Sequence, residues 1–166
     1  MESLVIWFTA HLGEFITPKA VVFIISLMPI LELRGGLLAG SLLMVPEAEA
    51  IPISIIGNIL PIPFILLFIK KIFKWMKKFK CFKGFIEKLE KRAMGKSDKI
   101  QKYEFWGLML FVGIPLPGTG AWTGALIASL LGIDIKKSSL AILCGIGIAT
   151  VIMYFVSYVI VGNVVA

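Results

Sequence analysis

Two ionisable side chains lie inside an apolar region near the start of the chain. Glu32 and Arg34 follow the apolar residues 20–31, and Gly35 and Gly36 come directly after them. Charged groups at membrane depth raise the free energy of insertion by about 3 kcal/mol each, so they are usually paired or functional. The planar guanidinium of Arg34 could hold an anionic group such as a phosphate, and Glu32 could bind a cation or carry a proton. The alternative is a structural pair that fixes a hairpin tip.

A run of prolines and glycines from Pro115 to Gly120 is the second region that could bind a ligand. Such a run leaves backbone amides and carbonyls free of helical hydrogen bonds. If this run meets the first region, Arg34 and the amides of residues 118–120 form one pocket; a plain structural turn is the other reading. Asn58 could face the same cavity or form an interhelical hydrogen bond. The candidate substrate-binding or ion-binding residues are Glu32, Arg34, Asn58, Pro115, Pro117, Gly118, Thr119, Gly120, Trp122 and Thr123.

Patterns typical of enzymes are not recognised in the sequence. There is no Ser/His/Asp array, no phosphate-binding loop and no cluster with metal-ligand spacing. The two cysteines, Cys81 and Cys144, offer neither a disulfide framework nor a metal site. We therefore expect no catalytic residues, no metal, no cofactor and no enzymatic activity.

The composition indicates an integral membrane protein with helical segments. Hydrophobic residues make up 58% of the 166 residues and the mean hydropathy is +0.95, whereas soluble chains are nearer half apolar. The apolar residues also lie in long blocks, as lipid-facing helices require. We expect one all-α membrane domain over residues 1–166, which begins with an interfacial helix over residues 1–18.

Most of the positive charge lies in one basic segment, residues 70–103. The net charge of the chain is +7, and apolar and aromatic residues recur every three or four positions between the lysines of this segment. That pattern predicts an amphipathic helix on the cytoplasmic face of the cell membrane, in contact with anionic lipid head groups. Membrane segments flank it on both sides, which argues against nucleic-acid binding.

The regions on either side of the basic segment have the same order of elements. Residues 19–69 and residues 104–166 each contain two short apolar arms, a break between them and one long apolar segment. A shift of 84 residues places Gly36 and Gly40 over Gly120 and Gly124. If each pair of arms is a re-entrant hairpin, the second half is inverted relative to the first, which is a recurring transporter plan. Four plain spanning helices are the alternative, but they would put Lys136 and Lys137 outside.

Three stretches of the sequence resemble the small multidrug export protein family. They are residues 29–35 (PILELRG), 114–124 (IPLPGTGAWTG) and 57–63 (GNILPIP). The chain departs from the family pattern at Gly36 and Leu37. The plan is also similar to the DedA/VTT superfamily of membrane proteins with paired re-entrant hairpins. That resemblance implies a phosphate-bearing lipid such as undecaprenyl phosphate as cargo, with Arg34 as its partner and proton coupling through Glu32.

The leading functional hypothesis is a small transporter with a midplane site between two re-entrant hairpins, which exports amphiphilic compounds or translocates a phosphate-bearing lipid. The alternative is a non-transporting scaffold or assembly factor, and an enzyme acting on lipid phosphates ranks third. We expect membrane lipids, and no nucleic acid, as partners. Because two full spans enclose little volume, we also expect a homodimer.

Overall fold

The computed structural model describes residues 17–76, the single positions 84, 87 and 91, and residues 98–116 and 118–161. This part of the chain is helical and contains no β-strand, which confirms the all-helical prediction there. The predicted interfacial helix at residues 1–18 lies almost wholly outside the described residues, as does most of the basic segment. The helices are α1 (Pro18–Leu27), α2 (Glu32–Leu42), α3 (Glu47–Ile59), α4 (Ile62–Met76), α5 (Asp98–Gly113), α6 (Ala121–Leu131) and α7 (Ile135–Tyr154), which continues as a π-helix over Phe155–Val161.

The first two helices form an antiparallel hairpin, hairpin A. Thr17 caps α1, and its hydroxyl accepts a hydrogen bond from the Ala20 amide at 3.4 Å. The chain reverses at residues 28–31, so that Gly40 in α2 lies against Val22 in α1. With ten and eleven residues, the two arms are about 15 Å and 16 Å long, roughly half of a bilayer core.

The break in hairpin A is narrower than the sequence predicts. Gly35 and Gly36 are part of α2 rather than of the turn. A Cβ at Gly35 would lie 2.6 Å from the Leu31 Cβ, and one at Gly36 would overlap the Ser26 hydroxyl. The two glycines therefore let α2 pack closely on the preceding chain, and the reversal depends on residues 28–31.

Helices α5 and α6 form the second hairpin, hairpin B. The chain reverses between Gly113 and Ala121, where the proline and glycine run predicts a break. Gly124 in α6 lies against Leu108 and Val112 of α5, which shows that the two arms fold back on each other. The apolar part of α5 starts at Glu104, where a backbone φ of 34° kinks the helix.

Among the described residues, two segments are long and apolar enough to cross a membrane: Glu47–Ile69, formed by α3 and the start of α4, and Ile135–Ile160. Both expose large apolar side chains along their length, as expected of helices that face lipid. These side chains include Ile56, Phe64, Leu67, Leu140, Leu143, Val151 and Ile160. Length and composition therefore support a membrane protein.

The bases of the two hairpins lie at opposite ends of the molecule. At one end, the Ser41 hydroxyl of α2 donates to the carbonyl of Ser157, near the end of α7, at 2.6 Å. At the other end, Lys137 at the start of α7 pairs with Glu104 of α5 at 3.5 Å. Because α7 runs the length of the bundle, hairpins A and B extend towards each other from opposite ends.

Both halves contribute to one apolar core between the hairpins and the long helices. This shared core places the two hairpin tips side by side in the interior. Its buried members include Leu33, Leu37, Ile62, Ile65, Leu66, Leu108, Val112, Ala125, Ile127, Ile142 and Ile146.

Glycines let each long helix touch the backbone of the first arm of its own hairpin. A Cβ at Gly57 of α3 would lie 2.9 Å from the Phe23 carbonyl oxygen in α1. A Cβ at Gly145 of α7 would lie 2.7 Å from the Met109 carbonyl oxygen in α5. Larger side chains at either position would push the helices apart.

Replacing Gly145 with alanine is expected to lower the free energy of unfolding by about 1–3 kcal/mol, because the added methyl group meets backbone that cannot rotate away. Gly147 lies two residues further on and has no atom within 4 Å of its would-be Cβ, so Gly147→Ala is the matched control. We expect that control to be neutral or to stabilise by up to about 1 kcal/mol. Unfolding in mixed SDS micelles measures both, and equal values would contradict the packing described here.

Candidate functional site

The tip of hairpin A inserts its arginine into the break of hairpin B. Arg34 is 6% exposed and donates four hydrogen bonds there. Its Nη1 bonds the Leu116 carbonyl at 2.8 Å, and its Nη2 bonds the Thr119 hydroxyl at 3.0 Å. The same Nη2 reaches the carbonyls of Ile114 at 3.2 Å and Val112 at 3.4 Å. The guanidinium thus binds the carbonyl groups that the end of α5 leaves without helical partners.

The glutamate of hairpin A binds the opposite side of the same break. Glu32 is 5% exposed, and its carboxylate accepts from the amides of Ala121 at 2.9 Å and Trp122 at 3.1 Å. These are the first amides of α6, whose capping residue Gly120 has no side chain to offer them. Glu32 itself has a positive φ of 52°, a conformation that non-glycine residues rarely adopt. A carboxylate from the other hairpin therefore caps α6.

The two charges match the dipoles of the two helix ends that they contact. A helix carries about half a positive charge at its amide end and half a negative charge at its carbonyl end. Arg34 lies at the carbonyl end of α5 and Glu32 at the amide end of α6. The carboxylate and the guanidinium do not bond each other, although they are two residues apart. Each of these two buried charges is compensated by backbone groups of hairpin B.

Thr119 is the other side chain that joins this contact. Its hydroxyl accepts from Arg34 and lies 2.8 Å from the Leu116 carbonyl and 3.0 Å from the Ile114 carbonyl, so it can donate to either. The sequence suggests one pocket formed by Arg34 and the amides of residues 118–120 if the two breaks meet. In the structure, the direct hydrogen-bond partners of Arg34 are carbonyls and this hydroxyl, because a guanidinium can only donate and the proline run exposes the carbonyl end of α5 to the tip of hairpin A.

The remaining candidate residues are distributed around the break. Gly118 is exposed with a φ of 75°, whereas Pro115 and Thr123 are half-buried. The Trp122 indole Nε1 is buried without a hydrogen-bond partner. Asn58 lies on α3, 2% exposed, and its Oδ1 also has no partner. Pro117 lies outside the described residues.

Three backbone carbonyls that bind Arg34, and one buried serine, are not among the candidate residues that the sequence indicates. The carbonyls of Val112, Ile114 and Leu116 are invisible to a search for reactive side chains. Their only signal is that the prolines at 115 and 117 end the helix, which leaves carbonyls near its end without helical partners. Ser54 is fully buried and its Oγ has no partner; its spacing of four residues from Asn58 would have placed both on one face of a helix.

The breaks are open to the exterior of the bundle on their apolar side. Ile30 in the first break is 70% exposed, and Leu116 in the second is 55% exposed. Glu32 and Arg34 provide hydrogen-bond partners for the backbone groups exposed at the second break. In the described residues, no group of three or more His, Cys, Asp or Glu side chains is placed to hold a metal ion.

Comparison with known proteins identifies one family. Residues 32–152 match the sequence profile described as "Putative small multi-drug export protein". That range begins at Glu32, directly after the break of hairpin A, and contains the break of hairpin B and all but the last part of α7. No curated protein and no solved structure matches the chain.

Proposed function

Since the chain belongs to the small multi-drug export protein family, we propose that it is a membrane transporter whose site lies between the tips of two re-entrant hairpins. The contact that carries this proposal is the capping of the broken hairpin B by Glu32 and Arg34 of hairpin A. Because both charges are compensated only while the tips touch, the contact acts as a closed gate near the middle of the membrane.

Arm length supports the re-entrant arrangement. The arms of hairpin A, together with α6, have ten or eleven residues, too few to cross a hydrocarbon core of about 30 Å. In hairpin A, Lys19 at the start of the first arm pairs with Glu49 after the second arm at 2.5 Å. The chain therefore enters and leaves on one side, and hairpin B does the same at the other end through Lys137 and Glu104.

Recurring glycine contacts support an inverted repeat. Gly36 lies against Ser26 and Gly124 lies against Val112, in each case where the second arm packs on the first. Gly57 and Gly145 likewise each lie against a carbonyl of the first arm. Both glycine pairs are 88 residues apart, so these contacts favour a shift of 88 residues over the 84 that sequence spacing suggests.

The site could become exposed to each side of the membrane in turn if Arg34 and Glu32 exchange their contacts with hairpin B for contacts with a substrate. Movement of hairpin A away from hairpin B would leave the Arg34 guanidinium and the carbonyl end of α5 without their contacts. A substrate with an anionic or acceptor group for Arg34 and a donor group for the carbonyls would lower the free energy of the separated hairpins and so favour the open state. The unpartnered Trp122 indole and the Thr119 hydroxyl are further donors for such a substrate.

The exposed apolar side chains at the breaks favour an amphiphilic substrate that enters from the bilayer. Ile30 and Leu116 would contact its apolar part, and the groups at the tips its polar part. A phosphate-bearing lipid is a second candidate, because the planar fork of Arg34 opens on the same lipid-facing break. Such a phosphate would have to displace the carbonyls that now occupy the guanidinium.

Charge asymmetry orients the protein in the proposed mechanism. The basic segment, residues 70–103, lies on the cytoplasmic side of the cell membrane by the positive-inside rule and contacts anionic lipid head groups. The base of hairpin B is then cytoplasmic and the base of hairpin A is outside. A homodimer would supply the lateral walls that two spanning segments lack.

Purified protein in vesicles tests the transport proposal. We expect wild-type protein to move a fluorescent amphiphilic cation, or a fluorescent phosphate-bearing lipid, across the bilayer. Glu32→Gln keeps the shape of the side chain but removes its charge, and we expect it to reduce the rate about tenfold or more, because a charge-assisted hydrogen bond contributes roughly 1.5–3 kcal/mol. Gly147→Ala is the control and should transport at the wild-type rate.

The same vesicles distinguish the alternatives. Movement of one probe and not the other identifies the cargo class. Folded protein that moves neither probe would instead support the scaffold or assembly role. Cysteines placed at Met44 and at Ile135, in a background without Cys81 and Cys144, should label from opposite sides; labelling from the same side would contradict the re-entrant topology.

A further inference from the structure

We propose that a sodium ion binds between α1, α2 and α3, at a buried cluster of oxygen atoms formed by Ser26, Ser54 and Asn58. This proposal goes beyond the transport function and does not rest on it. The cluster lies in the first half of the chain, beneath the tip of hairpin A, and none of its members takes part in the contact with hairpin B.

Two of the oxygens in the cluster are buried without any hydrogen-bond partner. Ser54 is 0% exposed and Asn58 is 2% exposed, and neither the Ser54 Oγ nor the Asn58 Oδ1 has a partner. Buried polar atoms are nearly always hydrogen-bonded, and exceptions call for a bound water or ion. Both residues lie on one face of α3, four residues apart.

Close packing brings the three helices together at this point. The would-be Cβ of Gly36 in α2 lies 2.8 Å from the Ser54 Oγ and overlaps the Ser26 Oγ. The would-be Cβ of Gly57 in α3 lies 3.0 Å from the Ser26 Cβ and 2.9 Å from the Phe23 carbonyl oxygen. Glycine at position 36 therefore lets both hydroxyls pack closely on the backbone of α2.

The register of α2 against α3 extends the cluster to the hairpin tip. Gly40 lies against Ala50 and Gly36 lies against Ser54, so α2 and α3 run antiparallel. One turn further along, Asn58 is level with Glu32, where α2 begins. The cluster thus continues from the interior up to the break at residues 28–31.

Several groups around the cluster present lone pairs that a cation can bind. The Ser26 hydroxyl already donates to the Val22 carbonyl at 2.7 Å, so its oxygen has only lone pairs to offer. The amide oxygen of Asn58 is an acceptor by nature, and the Ser54 oxygen keeps its lone pairs whichever way its hydroxyl proton points. The last carbonyls of α1 carry the negative end of the helix dipole, which also favours a positive charge nearby.

Comparison of the two hairpins supports a positive charge at this position. In hairpin B, the carbonyl end of the first arm is compensated by Arg34. In hairpin A, no described side chain donates to the last-turn carbonyls of α1. A sodium ion at the Ser26, Ser54 and Asn58 cluster would compensate α1 as Arg34 compensates α5. Half-helix carbonyl ends in membrane transporters bind sodium in this way.

The ligand set and the tight packing select the ion. The three side chains are neutral oxygen donors without a carboxylate, which disfavours calcium and magnesium. Because the helices pack closely at this point, the site suits sodium better than the larger potassium ion. The ion would hold the two arms of hairpin A and the start of the first long helix in one arrangement.

Thermal unfolding of the full-length protein in detergent tests the site. At constant ionic strength, we expect sodium chloride to raise the Tm by several degrees over choline chloride, and potassium chloride to raise it less. Ser54→Ala removes one oxygen with little change in volume and should weaken sodium binding about tenfold, as judged by the concentration that gives half the Tm shift. Ser138→Ala removes another buried, unpartnered hydroxyl in α7 and should leave the sodium response unchanged.

Direct binding of radioactive sodium to the wild-type protein provides a second measurement that does not depend on any variant folding. We expect one ion per chain, with binding reduced in Ser54→Ala and in Asn58→Ala. Equal Tm values in sodium and choline, or a full sodium response in Ser54→Ala, would overturn the proposal and leave a buried water as the occupant. Loss of transport in vesicles with sodium binding intact would count against the proposed function alone.

Discussion

Replacing Arg34 with alanine is expected to lower the free energy of unfolding by about 3–5 kcal/mol. The variant loses four hydrogen bonds and leaves the carbonyl of the buried Val112 without its donor from hairpin A, whereas the carbonyls of Ile114 and Leu116 keep the amides of Leu116 and Thr119 as donors. It also leaves the Glu32 carboxylate at the tip without a compensating charge nearby. Unfolding in SDS mixed micelles, followed by tryptophan fluorescence, measures the change.

Two companion variants show whether geometry or charge is responsible. Arg34→Lys keeps the charge but has no planar fork for several carbonyls, so we expect roughly half of the stability loss. Lys137→Ala removes an exposed lysine that pairs with Glu104 at 3.5 Å and should change stability by less than about 1 kcal/mol. If Arg34→Ala were as mild as Lys137→Ala, the guanidinium would not be what joins the hairpins.

Replacing Gly120 with alanine is expected to lower the free energy of unfolding by about 3–5 kcal/mol, because it combines backbone strain with loss of the Glu32 cap. Gly120 has a φ of 138° and a ψ of −176°, a region that essentially only glycine occupies. The added methyl group would also lie 2.7 Å from the Glu32 Cδ. The carboxylate would have to leave the amides of Ala121 and Trp122.

A double-mutant cycle separates the two contributions. In a Glu32→Ala background the overlap is gone, so Gly120→Ala should cost only the strain, about 1–3 kcal/mol. Gly132→Ala is the matched control, since Gly132 also has a positive φ, 74°, but is exposed at the end of α6; it should cost about 1–2 kcal/mol. Additive effects of Glu32→Ala and Gly120→Ala would contradict direct contact between these residues.

Much of the architecture could be predicted from the sequence. The break in hairpin B, the two long apolar segments and the family follow from prolines, hydropathy and short motifs, and they agree with the structure and with the family match. Asp134 accepts from the amides of Lys136 and Lys137 at the start of α7, as an aspartate just before an apolar helix predicts. These features are local, so the residues that determine them lie close together in the chain.

The partners of the charged residues could not be predicted in the same way. Arg34 binds backbone carbonyls about 80 residues away, and a carbonyl looks the same at every position of a sequence. A pair of glycines such as Gly35 and Gly36 can turn the chain, but here close helix packing outweighs that freedom, and both lie inside α2. Contacts between segments that are distant in the sequence determine the partners of Arg34 and the helical conformation of the two glycines.

Capping between the hairpins also has a consequence for how the chain is made. During synthesis Glu32 and Arg34 leave the ribosome about 80 residues before the carbonyls and amides that they contact. Until then neither charge has a native partner, so burial in lipid would be unfavourable. We expect hairpin A to remain in the head-group region and to insert fully only after hairpin B is translated. The last step of assembly is then the association of two halves, neither of which is stable in the membrane without the other.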